Sequence, residues 1–217
     1  MVCLLVAATA IEISPFLEYY RRGKNHLPHN LQIDILVTGI GLTTCTYALT
    51  KQIQIKRPDI VVQAGIGGCF DKEIPLGSVV AIKQETLGDQ VVLEAGKMKT
   101  LFDLGLVSKD QFPYSKGRLI NNGEVLKKVK LKKVTGITTN EITTSKQKIK
   151  LYRDNFNPVI ESLEGAALHY VCLMEKIHFI QIRSVSNYIG ERNKKNWNIK
   201  DSIHNLNKEL IRLLESL

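Results

Sequence analysis

The 217-residue chain is predicted to fold as one α/β domain of three layers, with a mostly parallel twisted central sheet and helices on both faces. Three observations predict this. Short, nearly continuous apolar runs recur along the chain, as they do in strands buried on both faces. Helix-like segments alternate with these runs. Several of the runs close on glycine or on small polar residues, at the strand ends where ligands gather in such folds.

Val2 to Ala8 is the first apolar run, followed by a helix-like stretch through Tyr20. Ile33 to Thr38 is a second strand, ended by Gly39-Ile40-Gly41. Leu42 to Ile55 reads as a helix, closed by Pro58, which disfavours helix in the residue before it. Ile60 to Ala64 is a third strand running into Gly65-Ile66-Gly67-Gly68, and Ser78 to Ile82 is a fourth, after a turn at Pro75 to Gly77. From about Gly96 to Lys130 the pattern has little period. Beyond it come a strand at Val134 to Thr138, a helix at Lys146 to Asn155 and a short strand at Val159 to Glu161. A helix at Gly165 to Lys176 and a strand at Phe179 to Ser184 follow. The last element is an amphipathic helix at Ile203 to Leu214. No linker, repeat or composition break divides the chain, so a single domain over residues 1–217 is expected.

Composition narrows the class. At 44% hydrophobic and 24% charged residues the chain resembles ordinary globular proteins. No segment offers the roughly 18 unbroken apolar residues of a membrane span. Val2 to Ala8 is too short, and lacks the basic flank, for a secretory leader. Cys3, Cys45, Cys69 and Cys172 are scattered, without CxxC pairs or histidines at ligand spacing. Neither disulfides nor a zinc site is expected, and the cytoplasm is the expected compartment. The formal charge of +9 raises the question of a nucleic-acid partner. The basic residues fall in short patches, Lys127 to Lys133, Lys146 to Lys150 and Arg192 to Lys200, without interleaved aromatics. Solvated surface accounts for them, and no nucleic-acid partner is expected.

Four segments after strands carry candidate chemistry. Glu12 follows the first strand at the opening of a helix, where a carboxylate is either a general base or a group favoured by the helix dipole. The two glycine clusters let a backbone approach a ligand closely, or simply make tight turns. Neither spells GxGxxG, and no GxxxxGK[ST] loop occurs. Glu164 precedes Gly165-Ala166-Ala167 and can accept hydrogen bonds from two ribose hydroxyls, or serve only at a helix start. Asn187 ends Arg183-Ser184-Val185-Ser186-Asn187, which puts an amide at the active edge of the sheet.

In this order, Ala8-x-x-x-Glu12, Thr38-Gly39-Ile40-Gly41, Ala64-Gly65-Ile66-Gly67-Gly68, Leu163-Glu164-Gly165-Ala166-Ala167 and Arg183-Ser184-Val185-Ser186-Asn187 resemble the purine nucleoside phosphorylase and nucleosidase superfamily. The general likeness is to methylthioadenosine/S-adenosylhomocysteine nucleosidases. Glu161 to Val171, Gln181 to Arg192 and Trp197 are similar to the futalosine hydrolases. The resemblance runs from about Val2 to Trp197 and is weakest between Lys97 and Lys130.

It implies that Glu12 holds and deprotonates an attacking water, and that Glu164 binds the 2′ and 3′ hydroxyls of the ribosyl part. Leu163 stands where the family packs methionine. Gly65, Ile66 and Gly67 keep the shape of the family's substrate-binding turn but lack its serine hydroxyl. The adenine-specific nucleosidases carry aspartic acid at Asn187, which protonates N7 of the base. An asparagine supplies no such proton. Its amide donates instead to N7 or to O6, which favours a 6-oxopurine. The implied reaction is hydrolysis of the N-glycosidic bond of futalosine, releasing hypoxanthine and dehypoxanthine futalosine in menaquinone biosynthesis. No metal or organic cofactor is implied, and a homo-oligomer, dimer or larger, is. Phosphorolysis is disfavoured because Gly65 to Phe70 has no arginine or lysine to hold phosphate. Arg21, Arg22 and Arg57 are the other cations considered, and Arg183 is expected to face away along its strand. Ile142 is a candidate wall of the base pocket, Thr138 and Asn140 its polar candidates, and Gly88-Asp89 a neighbouring element. The alternatives are a nucleosidase or phosphorylase for inosine or guanosine, one for methylthioadenosine, a noncatalytic nucleoside binder, or a nucleic-acid module.

Overall fold

The computed structural model describes residues 1–23 and 26–217. Ten strands and six α-helices follow one another among them. The first half holds β1 (Val2–Ala7), α1 (Ser14–Arg21), β2 (Gln32–Val37), α2 (Leu42–Ile55), β3 (Ile60–Cys69), β4 (Val79–Glu85), β5 (Val91–Glu94) and β6 (Lys97–Thr100). The second holds β7 (Leu119–Ile120), α3 (Glu124–Lys128), β8 (Lys132–Thr138), α4 (Lys146–Phe156), β9 (Ile160–Ser162), α5 (Gly165–Met174), β10 (His178–Tyr188) and α6 (Ile199–Glu215).

The sheet departs from the expected one in a specific way. Its order is β10-β4-β8-β9-β3-β1-β2, and β10 also pairs with β3. That extra pairing closes β3, β9, β8, β4 and β10 into a barrel-like ring, from which β1 and β2 extend as a flange. The sheet is mixed rather than mostly parallel. β1–β2, β1–β3, β3–β10, β4–β8 and β8–β9 are parallel, whereas β4–β10, β3–β9 and β4–β7 are antiparallel. The physical reason lies in the connections. Helical crossovers force parallel neighbours, but the chain passes from β3 to β4 through a loop without a helix.

The flange keeps the anticipated layering. On one face, Ile13 and Phe16, Leu126 of α3, and Leu206, Leu210, Leu213 and Leu214 of α6 pack against Cys3, Leu5, Val62 and Ile180. On the other, Leu49 and Ile53 of α2 and Leu168, Val171 and Cys172 of α5 cover Leu4, Val6, Val61 and Phe179. A third cluster, with Cys69, Val80, Ile82, Val134, Ile160 and Val185, joins the ring strands to one another.

Local chemistry sets several boundaries. α2 begins after Gly41, whose φ of 103° an L side chain resists. α4 is capped by Ser145, whose side chain accepts from the Lys148 N–H, and it ends on Asn157 at φ 47°. Two strands read as ending earlier run on: β3 continues through Gly65 to Cys69, and β10 through Asn187 to Tyr188. Gly96 to Lys130, where no pattern was legible, contains β6 of the β5–β6 hairpin, β7 and α3. No helix among the described residues is long and apolar enough to cross a membrane. The four cysteines are free and buried.

Candidate active site

The carboxyl ends of β1, β2, β3 and β10, together with β9 and the start of α5, surround a cleft of about 310 Å³. Glu12, Ile66, Gly67, Ile142, Leu163, Glu164 and Asn187 all line it. Gly65 does not. It lies one residue deeper in β3, and its role is to be small: a Cβ there would stand 2.4 Å from Nη1 of Arg183 and 3.0 Å from Oε1 of Glu12.

Glu12 is buried in the turn before α1 and is held at both oxygens. Oε1 accepts from the Ile66 N–H at 3.0 Å, and Oε2 accepts from the Thr9 N–H and hydroxyl at 3.1 Å each. These donors fix the carboxylate yet leave it acceptor capacity toward the cleft. Glu164 is the residue on which α5 begins. Its Oε1 accepts from the Gly41 N–H at 3.0 Å, so the turn after β2 locks onto the helix start. Its Oε2 lies 3.5 Å from both Nη1 and Nη2 of Arg183.

Arg183 corrects the sequence reading. It does not face away but lies beneath the cleft, 2% exposed, with Nη2 donating to Gln63 Oε1 at 3.0 Å. Its guanidinium therefore sits between Glu164 and, across Gly65, Glu12. An isolated buried cation is unfavourable, so this placement depends on the carboxylate partner. Arg22 pairs with Glu18 and Arg57 with Glu175. Neither of these arginines, nor Arg21, lines the cleft.

Asn187 follows a bulge. The β3–β10 register runs Val185 opposite Gly67 and then Asn187 opposite Gly68, which leaves Ser186 unpaired. The Ser186 hydroxyl lies 2.8 Å from Asn187 Oδ1 and 3.1 Å from the Gly67 carbonyl, either of which can take its proton. Asn187 Nδ2 makes only a 3.3 Å contact with the Tyr188 carbonyl. That amide is thus oriented with its N–H side available to a ligand.

Two of the polar candidates are elsewhere. The Thr138 hydroxyl donates to Glu85 Oε2 at 3.1 Å and accepts from the Ala166 N–H, below the cleft. Asn140 donates twice to Asp89, joining that loop to the Gly88-Asp89 turn. Thr143 lines the cleft in their place. Sequence reasoning also passed over Glu85. This carboxyl is 1% exposed, takes a hydrogen bond from Gln181 Nε2 at 3.0 Å, and fits because Gly136 and Gly165 have no Cβ to collide with it. Burial pushes its pKa up to about 7, against hydrogen bonds from Gln181 and Thr138 and the charge of Arg183. An acidic residue ending an apolar strand was its only signal. Arg192, Trp197 and Ile199 also line the cleft. Among the described residues Arg192 pairs with no carboxylate, and no three imidazole, thiol or carboxylate groups gather as metal ligands.

The phosphorylase superfamily model matches residues 18–217. A futalosine hydrolase of Thermus thermophilus is 25% identical over 182 residues, covering 82% of this chain and 80% of its own length. A 5′-methylthioadenosine/S-adenosylhomocysteine nucleosidase of Shewanella loihica is 26% identical over 163 residues, 70% of this chain and 68% of that one. In fold, the chain is similar to the nucleosidase of that name from Helicobacter pylori, solved with butyl-thio-DADMe-Immucillin-A. That match has a TM-score of 0.81 at 18% identity and covers 100% of this chain and 99% of the other.

Proposed function

Because the chain belongs to the phosphorylase superfamily, we propose that it hydrolyses the N-glycosidic bond of a purine nucleoside, and that this nucleoside is futalosine. The observation that carries the reading is the grouping of Glu12, Glu164 and Asn187 around one cleft, with an amide rather than an acid at the base end. Glu164 accepts the ribose hydroxyls. A water between Glu12 and the anomeric carbon loses its proton to Glu12 as its oxygen bonds to C1′. The C1′–N9 bond breaks, and its electron pair passes into the purine ring. In a 6-oxopurine that charge spreads to O6 and N7, where the Asn187 amide N–H stabilises it. The purine anion takes up a proton from solvent as neutral hypoxanthine leaves with the ribosyl product, and Glu12 returns its proton to solvent.

Water rather than phosphate is the nucleophile. The end of β3 from Gly65 to Phe70 has no cation. Arg183 beneath it is occupied by Glu164 and Gln63. A dianion would meet no unpaired charge at that point. The outer cleft supports futalosine over smaller nucleosides. Arg192 beside Trp197 offers a cation and an aromatic face to the aromatic carboxylate of its 5′ substituent. The exposed apolar residues Ile11, Ile40 and Ile142 at the cleft mouth suit coverage by a second copy, in a dimer or larger assembly.

The test is release of free base from futalosine, inosine and methylthioadenosine, each with and without phosphate. Hypoxanthine released from futalosine regardless of phosphate is the expected result. Phosphate-dependent cleavage of inosine, or preference for methylthioadenosine, would contradict it.

A further inference from the structure

One carboxylate in the cleft is used neither for water nor for ribose. Glu161 of β9 is 5% exposed, and its Oε1 accepts from the Thr143 N–H at 3.1 Å. Its Oε2 is buried with no hydrogen bond of ordinary geometry among the described residues, and the Thr143 hydroxyl near the same carboxylate is likewise unpaired. A carboxylate oxygen left in that state is unfavourable, and native structures retain one where a ligand completes it. Strand register shows where it stands. Glu161 is paired with Gly68, and Gly68 is paired with Asn187, so the three form one rung across β9, β3 and β10. Directly paired residues of neighbouring strands project to the same face. Gly68 contributes no side chain, and a Cβ there would lie 2.4 Å from Cδ1 of Ile189 and 3.4 Å from Asn187 Nδ2. A narrow slot with an acceptor on one side and an amide on the other therefore lies at the base end of the cleft.

The two sides of this slot differ in hydrogen-bond sense. A 6-oxopurine presents N7 and O6 as acceptors and, next along its edge, N1–H as a donor. A 6-aminopurine presents an amino donor and an unprotonated N1 acceptor instead. The Thr143 N–H, a main-chain donor that could serve such an N1, is already occupied by Glu161 Oε1.

Resting on the nucleosidase reading above, we propose that Glu161 determines base specificity, its free Oε2 accepting the N1–H of a 6-oxopurine while Asn187 donates to N7 or O6. An aminopurine would place its N1 lone pair against the carboxylate and leave Oε2 unsatisfied, so the slot discriminates by what it leaves unpaired. Glu161 and Asn187 divide the edge between them.

Calorimetric titration of the full chain with hypoxanthine, 1-methylhypoxanthine and adenine tests this without reference to the 5′ group. Hypoxanthine is expected to bind roughly 10- to 100-fold more tightly than either of the other bases, the range of a charged hydrogen bond. Glu161→Gln keeps an acceptor for the Thr143 N–H but can turn an amide donor toward N1. It is expected to narrow the hypoxanthine–adenine gap by a similar roughly 10- to 100-fold. Equal binding of hypoxanthine and 1-methylhypoxanthine by the unaltered protein would overturn the role of Glu161 and leave the 6-oxopurine reading standing, as would an unchanged base preference in a folded Glu161→Gln. Tighter binding of adenine by the unaltered protein would overturn both. Should the variant not fold, the methylated base decides alone.

Discussion

Two buried carboxylates lie on opposite sides of the start of α5. Glu164 faces the cleft, with one oxygen on a main-chain N–H and the other toward a guanidinium. Glu85 is enclosed below, bonded to the neutral donors Gln181 and Thr138, and Thr138 in turn accepts from the Ala166 N–H in the first turn of the same helix. The first group has a cation beside it and open space before it. The second is bonded only to neutral donors and has no open space before it, and although the charge of Arg183 acts against it, burial pushes its pKa up to about 7. Similar chemistry thus serves two ends: a group that faces solvent-filled space is available to a substrate, while an enclosed one holds a helix start in place. Altering Glu12 on the cleft side should change rates more than stability, whereas removing Glu164 would also leave the buried Arg183 without its carboxylate; altering Glu85 should change how stability responds to pH.

The largest expected effect is on the cleft side. Glu12→Ala removes the proposed base of the attacking water and should lower turnover by about 100- to 10,000-fold, the usual contribution of a positioned general base. The melting temperature should fall only modestly, because the Thr9 and Ile66 N–H groups that lose their acceptor border the cleft, where water can replace it. Steady-state rates beside a thermal melt check this, and an unchanged rate would remove Glu12 from the mechanism.

A smaller effect is expected behind the helix, and its sign follows from two opposed titrations. Glu85 keeps its proton in the folded chain between its ordinary 4.5 and about 7. Its stabilising contribution is complete below the lower value and is lost as pH rises through the upper. His169 is fully buried, its Nδ1–H directed at the Leu119 carbonyl, and burial pushes its pKa down from 6.5 to about 4. Its contribution is complete above the upper value and is lost as pH falls through the lower. Over their shared window the two slopes oppose one another. Glu85→Gln removes one of them, so the variant's melting temperature should climb relative to the parent's from about pH 5 to about pH 8. Parallel curves for the two proteins would show that Glu85 does not titrate in that range.

The same contrast governs what the sequence made legible. α2 could be read from Leu42 to Ile55 because Gly41 and Pro58 bracket it with residues whose backbone chemistry is unambiguous. The cleft residues Glu12, Glu164 and Asn187 were legible because each directly follows or ends an apolar strand. Ring closure was not, since it needs β10 to pair back to β3 across more than a hundred positions of chain, and β3 to pair with β9 through only two residue pairs. The β5–β6 hairpin was hidden because it is short and mostly exposed, so no hydrophobic period marks it. Arg183 misled because a charged residue in a strand normally turns to solvent, and only Gly65, Gln63 and Glu164 together make room for it. Glu85 escaped notice because its partners come from β8 and β10, and its space from Gly136 and Gly165.

The central claim is that Glu12 directs water, not phosphate, onto the anomeric carbon of a 6-oxopurine nucleoside. Turnover of futalosine in water enriched with heavy oxygen, with phosphate present in excess, tests it most directly by mass spectrometry of the ribosyl product. The account predicts one labelled oxygen on the anomeric carbon and no sugar phosphate. An unlabelled sugar phosphate would contradict it, and would require a phosphate site that the occupied Arg183 and the uncharged turn above it do not provide.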